Sequence, residues 1–359
     1  LSFTFIPVFS DHRILDAGQT WELVSSFLNM MLLLSTALCA LGMTFAPFII
    51  RALTPGFSEE QARDAAVLLR WLFPTLILTV LNELLSSIYY SSGRFLIPSL
   101  YKILAPISTL LLVLGFADSS GTLSLAQATL LSSSLQTLTL ICFIGNIPGF
   151  RYTFSFHFRH EGVTKILRLM LPLLVGMLFY RIVPLFDRWL ASGLPEGSIS
   201  ALSYGAKLSG VLAPVLASGL SLAIFPVMAD FAARKDMSSL QAIMCKGIRM
   251  LLFLSIPCVS FLAFFGESVV QLLFQRGAFL HDATVATYHA LFFYLLALPA
   301  SVIGTIIGQG FYVSKDTTTP ILVGIGETIF YIVLCLVLVP TLGFLAIPVT
   351  YAVYFNLSV

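Results

Sequence analysis

Apolar residues in this chain neither alternate with polar ones nor recur only at every third or fourth position. They come in near-continuous runs of twenty residues and more, separated by short polar connections. A run of about 20 apolar residues is long enough to cross a bilayer as an α-helix. On that measure the pattern predicts the tail of one helix at 1–10 and helices near 20–53, 62–91, 96–117, 123–147, 163–192, 197–233, 239–275, 283–313, 318–339 and 343–359. Several exceed the minimum and are expected to tilt or to project from the membrane.

The run at 199–235 organises the rest. Ser200, Ser203, Gly205, Ala206, Gly210, Ala213 and Ala217 give it a small-residue surface, which lets neighbouring helices approach closely where lipid supplies no hydrophobic driving force. It also holds Lys207 about two turns from its start and a basic pair, Arg234 and Lys235, at its end. Exposing a lysine to lipid costs roughly 2.5–3.5 kcal/mol on insertion scales, so Lys207 is expected to face protein or water and to mark a cavity.

The connections alternate in charge. Arg13; Arg94 and Lys102; Arg151, Arg159, Lys165 and Arg168; Arg234, Lys235, Lys246 and Arg249; and Lys315 fall on one side, while the turn Ser58-Glu59-Glu60, Asp118, Glu196 and Pro340-Thr341-Leu342 fall on the other, with Arg51, Arg63, Arg70 and Arg276 as its main cations. The positive-inside rule makes the first set cytoplasmic. Composition agrees with a polytopic membrane protein: 58% of residues are hydrophobic and 10% charged, against about 25% charged in soluble domains. A net charge of +2 spread over scattered cations gives no footprint for nucleic acid. Cys39, Cys142, Cys245, Cys258 and Cys335 lie far apart in apolar runs, without the spacing of a disulfide framework or a metal site; they read as small buried hydrophobes.

A faint internal repeat adds topology. Pro7-Val8 with Asp11 recurs as Pro226-Val227 with Asp230, Gly56 matches Gly277, and Tyr90, Ser92 and Pro98 match Tyr312, Ser314 and Pro320 at a shift of 222. The spacing of helices between these marks is the same in both copies, and an even number of spans separates them. The expected fold is therefore all-α and polytopic, with two pseudo-symmetric helical lobes in direct repeat around a central cavity: an N-terminal lobe at 1–150 and a C-terminal lobe at 151–359. The repeat also leads us to expect further helices at both ends of the intact protein.

Arg181, Asp187 and Arg188 share the helix predicted at 163–192, with Arg181 near its middle. Intramembrane arginines usually face the bundle interior or an aqueous path, and guanidinium and ammonium groups without a nearby carboxylate suit an anionic ligand such as a phosphate. Arg181 and Lys207 are the candidate ligand-binding residues; Asp187 and Arg188 either orient their helix or simply tie helices together at its outer end. Glu83 and Glu327 are intramembrane carboxylates that suit pairing with these cations, proton binding or plain helix tethering. Arg276-Gly277 ends a helix, Gly277 suiting a C-terminal cap or an ordinary turn. Thr317 to Thr319 before Pro320 suit a helix start. His281, Asp282 and His289 are too loosely spaced for metal, and no nucleophile, base and oxyanion arrangement appears. Hydrolytic chemistry and a metal cofactor thus have no support.

The stretches DRWLASGLPEGSISALSYGAKL (187–208), IFPVMADFAARKD (224–236), LLFQRGAF (272–279) and GFYVSKDTTTP (310–320) resemble the MurJ/MviN family of lipid II flippases, within the superfamily that also contains MATE drug exporters and polysaccharide flippases. FIPVF (5–9), APFIIRALTPGF (46–57) and GFRYTFSFHFRHEGVTKILRLMLP (149–172) fit the same family. The resemblance implies alternating access of a cationic cavity, in a multi-pass protein of the bacterial cytoplasmic membrane, moving undecaprenyl-pyrophosphate-linked peptidoglycan precursor to the outer leaflet. Lipid II, membrane lipids and the cell-wall synthesis machinery are the expected partners, with no nucleic acid and no cofactor, and energy coupling stays open between membrane potential and a monovalent ion. Lys207 stands where the family's YADRL-like motif usually has an arginine, and Ala206 replaces the adjacent aspartate. Charge is kept but bidentate geometry is lost, which leaves room for another lipid-linked glycan. A MATE-like exporter is the alternative transporter; a membrane-embedded glycan-processing enzyme or a non-transporting scaffold would be a reading of another class.

Overall fold

The computed structural model describes residues 17–147, 149–155, 161–314, 316 and 318–359. The expected helix tail at 1–10 with Pro7, and residues Arg13, Lys315 and Thr317, lie outside them. Every regular element among the described residues is helical: α1 (Ala17–Leu53), α2 (Glu59–Leu72), α3 (Pro74–Ser91), α4 (Leu96–Ser120), α5 (Leu123–Cys142), α6 (Glu161–Ala191), α7 (Ser198–Ala233), α8 (Met237–Phe274), α9 (His281–Leu296), α10 (Leu298–Val313), α11 (Thr318–Leu342) and α12 (Ala346–Ser358). Eight helical stretches among the described residues are long and apolar enough to span a membrane, so the expected all-α polytopic fold holds.

Two of the expected helices are broken. The stretches 62–91 and 283–313 each form two helices, interrupted before Pro74 and before Pro299. Proline removes the donor that would bond back one turn and crowds the preceding carbonyl; the apolar run passes through unchanged, so hydropathy alone hides the break. In both copies the first half of the broken stretch is tied to the preceding long helix. The Phe73 ring fills the space a side chain on Gly42 would need, and Arg70 Nε donates to the Met43 carbonyl at 3.2 Å. In the second copy the Tyr288 ring lies against Gly266, and its hydroxyl donates to the Ala263 carbonyl at 2.6 Å.

The repeat is visible in backbone detail at a constant shift of 222. α4 and α11 have matching bounds, and each is followed by a glycine at positive φ, Gly121 at 53° and Gly343 at 56°. The bond that closes the preceding helix, Arg94 N to the Tyr89 carbonyl at 2.9 Å, recurs as Asp316 N to the Phe311 carbonyl at 3.0 Å. Between copies the same partners pack: the long helix on both halves of the broken one, and α4 on α5 as α11 on α12.

By packing, the chain divides into two compact units, 1–182 and 183–359. The division falls inside α6 rather than in the connection near 150, because the two halves of that helix join different cores. Ile166, Leu167 and Met170 pack with Leu23, Phe27, Leu84, Ile88, Tyr89 and Leu140, whereas Phe186, Leu190 and Ala191 pack with Leu202, Tyr294, Cys335 and Ile347. In the first unit, residues 150–155 are laid along α1: Phe150 meets Trp21 edge-on at 5.2 Å, Asn29 Nδ2 donates to the Ser155 carbonyl at 3.0 Å, and Tyr152 Oη donates to Asn29 Oδ1 at 2.7 Å. Apolar side chains such as Phe264, 85% exposed, cover the outside, as a surface solvated by lipid requires.

Helix ends facing water are capped by side chains. Ser58 and Gln61 form a reciprocal capping box at α2, satisfying two donors that the first turn leaves free. Asp236 accepts from Ser239 N at 3.0 Å and from Ser238 Oγ at 2.8 Å. At α11 the cap is Asp316, not a threonine: its carboxylate accepts from Thr318 N at 3.1 Å, Thr319 N at 3.0 Å and Thr319 Oγ1 at 2.7 Å, with Pro320 in the first turn. The Asp236 carboxyl is held down at about 2, chiefly by the hydrogen bonds from Ser239, and that of Asp316 is lowered by those from Thr319. Gly277, at φ 59°, lies in the turn closed by Phe279 N to the Arg276 carbonyl at 3.1 Å, so it serves the turn after the helix rather than the helix cap. Arg276 turns back on α8, donating to the Leu273 carbonyl at 2.6 Å.

Candidate functional site

Helices α6 and α7 are joined by a six-residue turn with Pro195 and with Gly197 at φ 88°, and their adjoining ends line one cavity. Pro184, Asp187, Arg188 and Ala191 form an i, i+3, i+4, i+7 stripe on α6; Ile199, Leu202, Ser203, Ala206 and Lys207 form the matching stripe on α7. Such spacing places each set on one helix face. Between the stripes lies a cavity of about 290 Å³, completed by Tyr294 from α9 and Ile347 from α12.

Two of its lining side chains are cationic and one is acidic. Lys207 is exposed, and its ammonium lies 5.9 Å from the centre of the Tyr204 ring, within cation–π range. Tyr204 is itself fixed by Phe274 at 4.7 Å and Phe279 at 5.5 Å. Phe274 at the end of α8 and Phe279 in the turn after it thus support the lysine through a ring. Gly205 explains how α7 comes close to α9: a side chain there would meet Leu291 N at 2.9 Å.

Behind the cavity Asp187 Oδ1 accepts from the Tyr331 hydroxyl at 2.7 Å. Tyr331, 1% exposed, meets Phe186 edge-on at 6.5 Å and Tyr354 at 5.8 Å, and the Tyr354 hydroxyl bonds the Glu327 carboxylate. Two carboxylates, each served by a tyrosine, therefore join α6, α11 and α12. Of the residues singled out in the sequence, Lys207, Asp187 and Arg188 line one cavity, and Glu327 lies in the polar cluster behind it. Arg181 has an exposed side chain, falls before the division between the units and is not among the lining residues. Glu83 belongs to the first unit, where it lies close to Tyr101 and Lys102. Pro226 lies within the continuous α7. Tyr204, Tyr294, Tyr331 and Tyr354 were not evident beforehand; the i, i+4 spacing of Glu327 and Tyr331 was the available signal, and it is common in apolar helices.

Comparison with known proteins gives a consistent answer. The family model "Lipid II flippase MurJ" matches residues 1–359. A probable lipid II flippase MurJ of Buchnera aphidicola subsp. Schizaphis graminum is 28% identical over 327 residues, covering 90% of this chain and 63% of the relative. Another, of Rickettsia prowazekii, is 24% identical over 363 residues, covering 100% and 71%. The chain spans about two thirds of the length of such relatives. Among solved structures, a lipid II flippase MurJ in an inward closed conformation matches with TM-score 0.84 at 21% identity, over 99% of this chain and 74% of that one. An inward-facing multidrug resistance MATE family transporter of the MOP superfamily matches with TM-score 0.83 at 17% identity, over 99% and 83%. At these identities the likeness is one of fold.

Proposed function

Because the chain belongs to the lipid II flippase MurJ family, we propose that the protein moves lipid II from the cytoplasmic to the outer leaflet of the bacterial cytoplasmic membrane by alternating access. The observation that carries this reading is the α6–α7 cavity, in which Lys207 and Arg188 outnumber the single carboxylate of Asp187. An excess of fixed positive charge at that place suits a pyrophosphate, with Arg188 as a planar donor and Lys207 as a point charge. The polyprenyl chain of such a substrate stays in lipid, which the apolar outer faces of the helices allow. Transport by this route needs no covalent chemistry.

Arg181 remains a candidate cation of the same path, from its place on α6 two turns before Arg188. Coupling to membrane potential or to a monovalent ion, and contact with the cell-wall synthesis machinery, complete the proposal. The test is lipid II flipping in cells depleted of their own flippase. The full-length parent should rescue, and the Lys207→Ala, Arg188→Ala double variant should fail while inserting normally; Arg181→Ala, assayed beside it, measures that residue separately. Undiminished flipping by the double variant would sink the cavity assignment. Failure of a well-expressed parent would move the substrate to another lipid-linked glycan.

A further inference from the structure

The connection between the two copies is bonded to α1 along a stripe of side chains built to receive it. After Gly149, at φ 74°, residues 150–155 run without helical structure over Trp21, Ser25, Ser26 and Asn29. Those four stand at i, i+4, i+5 and i+8, a spacing that puts them on one helix face. Ser25, Ser26 and Asn29 are buried, and the connection supplies their partners. Thr153 N donates to Ser25 Oγ at 3.1 Å, and the Ser26 and Ser155 hydroxyls are 2.6 Å apart. Both ends of the Asn29 amide are used, Nδ2 on the Ser155 carbonyl and Oδ1 by the Tyr152 hydroxyl. Buried polar groups are costly to leave without such partners, and opening would also bare the Trp21 ring that Phe150 meets edge-on. The fold does not itself demand this stripe. At the shift of 222 the four positions are Ile243, Gly247, Ile248 and Leu251, packed among apolar side chains.

We propose that residues 150–155 are a clasp that stays closed on α1 throughout transport, with Asn29 as its positioning residue. A chain held at 150–155 cannot feed length into the helix that follows it. The clasp therefore keeps Ile166, Leu167 and Met170 of α6 in the first unit's core, while the second half of the same helix carries Asp187 and Arg188 to the cavity wall. Asn29 acts on transport through α6 and touches no substrate. Its amide is suited to the task because it both donates and accepts, so one side chain fixes the backbone at Ser155 and the side chain of Tyr152 together. The device belongs to the first unit alone, since its counterpart position on α8, Leu251, can do neither.

The consequence for transport rests on the flippase reading above, and the test separates the two. Deuterium exchange on the purified full-length protein needs no substrate: the Thr153 amide should exchange slowly, and about tenfold faster in Asn29→Ala. The Ser26 and Ser155 hydroxyls are close enough for the pair Ser26→Cys, Ser155→Cys to be joined by a disulfide, with the protein's other cysteines replaced. Lipid II flipping is then measured in proteoliposomes of phosphatidylethanolamine and phosphatidylglycerol, oxidised and reduced. The oxidised pair should flip as fast as the reduced one. Asn29→Ala alone should flip about tenfold more slowly; the disulfide should restore its rate and a reductant should remove the rescue, which a merely structural asparagine would not show. Rapid exchange at Thr153 in the wild type overturns the clasp. Flipping lost on oxidation and regained on reduction shows that the connection must open, and overturns a clasp that stays closed. An Asn29→Ala variant that flips normally, or that the disulfide fails to rescue, overturns the positioning role. Slow exchange at Thr153 in a protein that flips no lipid II in any form would support the closed clasp and remove the lipid II reading.

Discussion

The helix pairs α4–α5 and α11–α12 occupy equivalent places in the two copies and have diverged in opposite directions. In the first unit the pair encloses an open groove of about 670 Å³, lined by Ala105, Thr109, Leu125, Thr129, Ser132 and neighbours. At the shift of 222 these positions are Glu327, Tyr331, Ile347, Tyr351 and Tyr354, which fill the equivalent space with aromatic rings and join it to α6 through Asp187. Even the link across the pair is conserved in place but not in kind: Ser132 Oγ donates to the Ala105 carbonyl at 3.1 Å, whereas Tyr354 reaches the Glu327 carboxylate. One backbone thus supports an uncharged groove in one copy and an acid–tyrosine cluster in the other. The ionisable chemistry is a property of side-chain choice at five positions, not of the fold.

The largest effect should come from emptying the filled copy. Tyr331→Ala removes a side chain that is 1% exposed together with its bond to Asp187, and a buried aromatic truncated to alanine costs about 3–5 kcal/mol. The matched change Thr109→Ala, at a wall already open, should stay within about 0.5 kcal/mol. Denaturant unfolding in detergent micelles compares the two directly. Similar losses for both would show that the groove is as tightly packed as its counterpart.

How much of this was legible in the sequence follows from the same contrast. The span boundaries, the repeat and the cationic place of Lys207 are written in hydropathy and spacing, because a bilayer imposes helix length and penalises charge. The breaks at Pro74 and Pro299 are not, since the long apolar runs continue on either side of both prolines. Nor is the tyrosine cluster, because a tyrosine in an apolar helix looks the same whether its hydroxyl reaches water or a carboxylate 144 residues away. Glu83 and Glu327 read alike as intramembrane carboxylates, yet they fall in different units with different neighbours. Hydropathy marked Lys207, while Arg188 as its companion on the cavity wall needed the cavity that α6 and α7 line together.

A smaller effect separates two helix ends built alike. α3 ends with Gly93 at φ 72°, and α7 with Lys235 at φ 57°; both show the paired bonds of a Schellman close, Arg94 N to Tyr89 O with Gly93 N to Tyr90 O, and Asp236 N to Phe231 O with Lys235 N to Ala232 O. Glycine adopts this left-handed conformation freely and lysine does not. Lys235→Gly should therefore stabilise by about 0.5–1 kcal/mol, and Gly93→Ala should destabilise by a similar amount, both read as shifts of the unfolding midpoint. The next residue, Asp236, gives a pH signature. Its folded value of about 2 lies below the ordinary ~3.9, so its cap contributes fully above the unfolded value and is lost as pH falls through the folded one. The gap between wild-type and Asp236→Asn unfolding temperatures should be widest near neutrality and close towards pH ~2; a gap of constant width would exclude the carboxylate as its source.

The smallest expected effect is the most informative about divergence. Thr129→Tyr places in the first unit the residue that the second has at Tyr351. In the second unit that ring packs at 5.2 Å from Tyr294 and 4.7 Å from Phe355; in the first, Thr129 borders open groove, with Ser132 and Ser133 on the same wall. A ring entering existing space displaces no neighbour, so the strain that normally accompanies overpacking is absent, and gains and losses should cancel to within about 0.5 kcal/mol. Tyrosine fluorescence and the unfolding midpoint together check this. A loss of 2 kcal/mol or more, in the ~1–3 kcal/mol range of overpacking, would mean the groove cannot admit a ring, and that its openness reflects a backbone already committed against the aromatic alternative. Tolerance would mean that the first unit keeps room for the second unit's chemistry and that the absence of acids, not of space, distinguishes it.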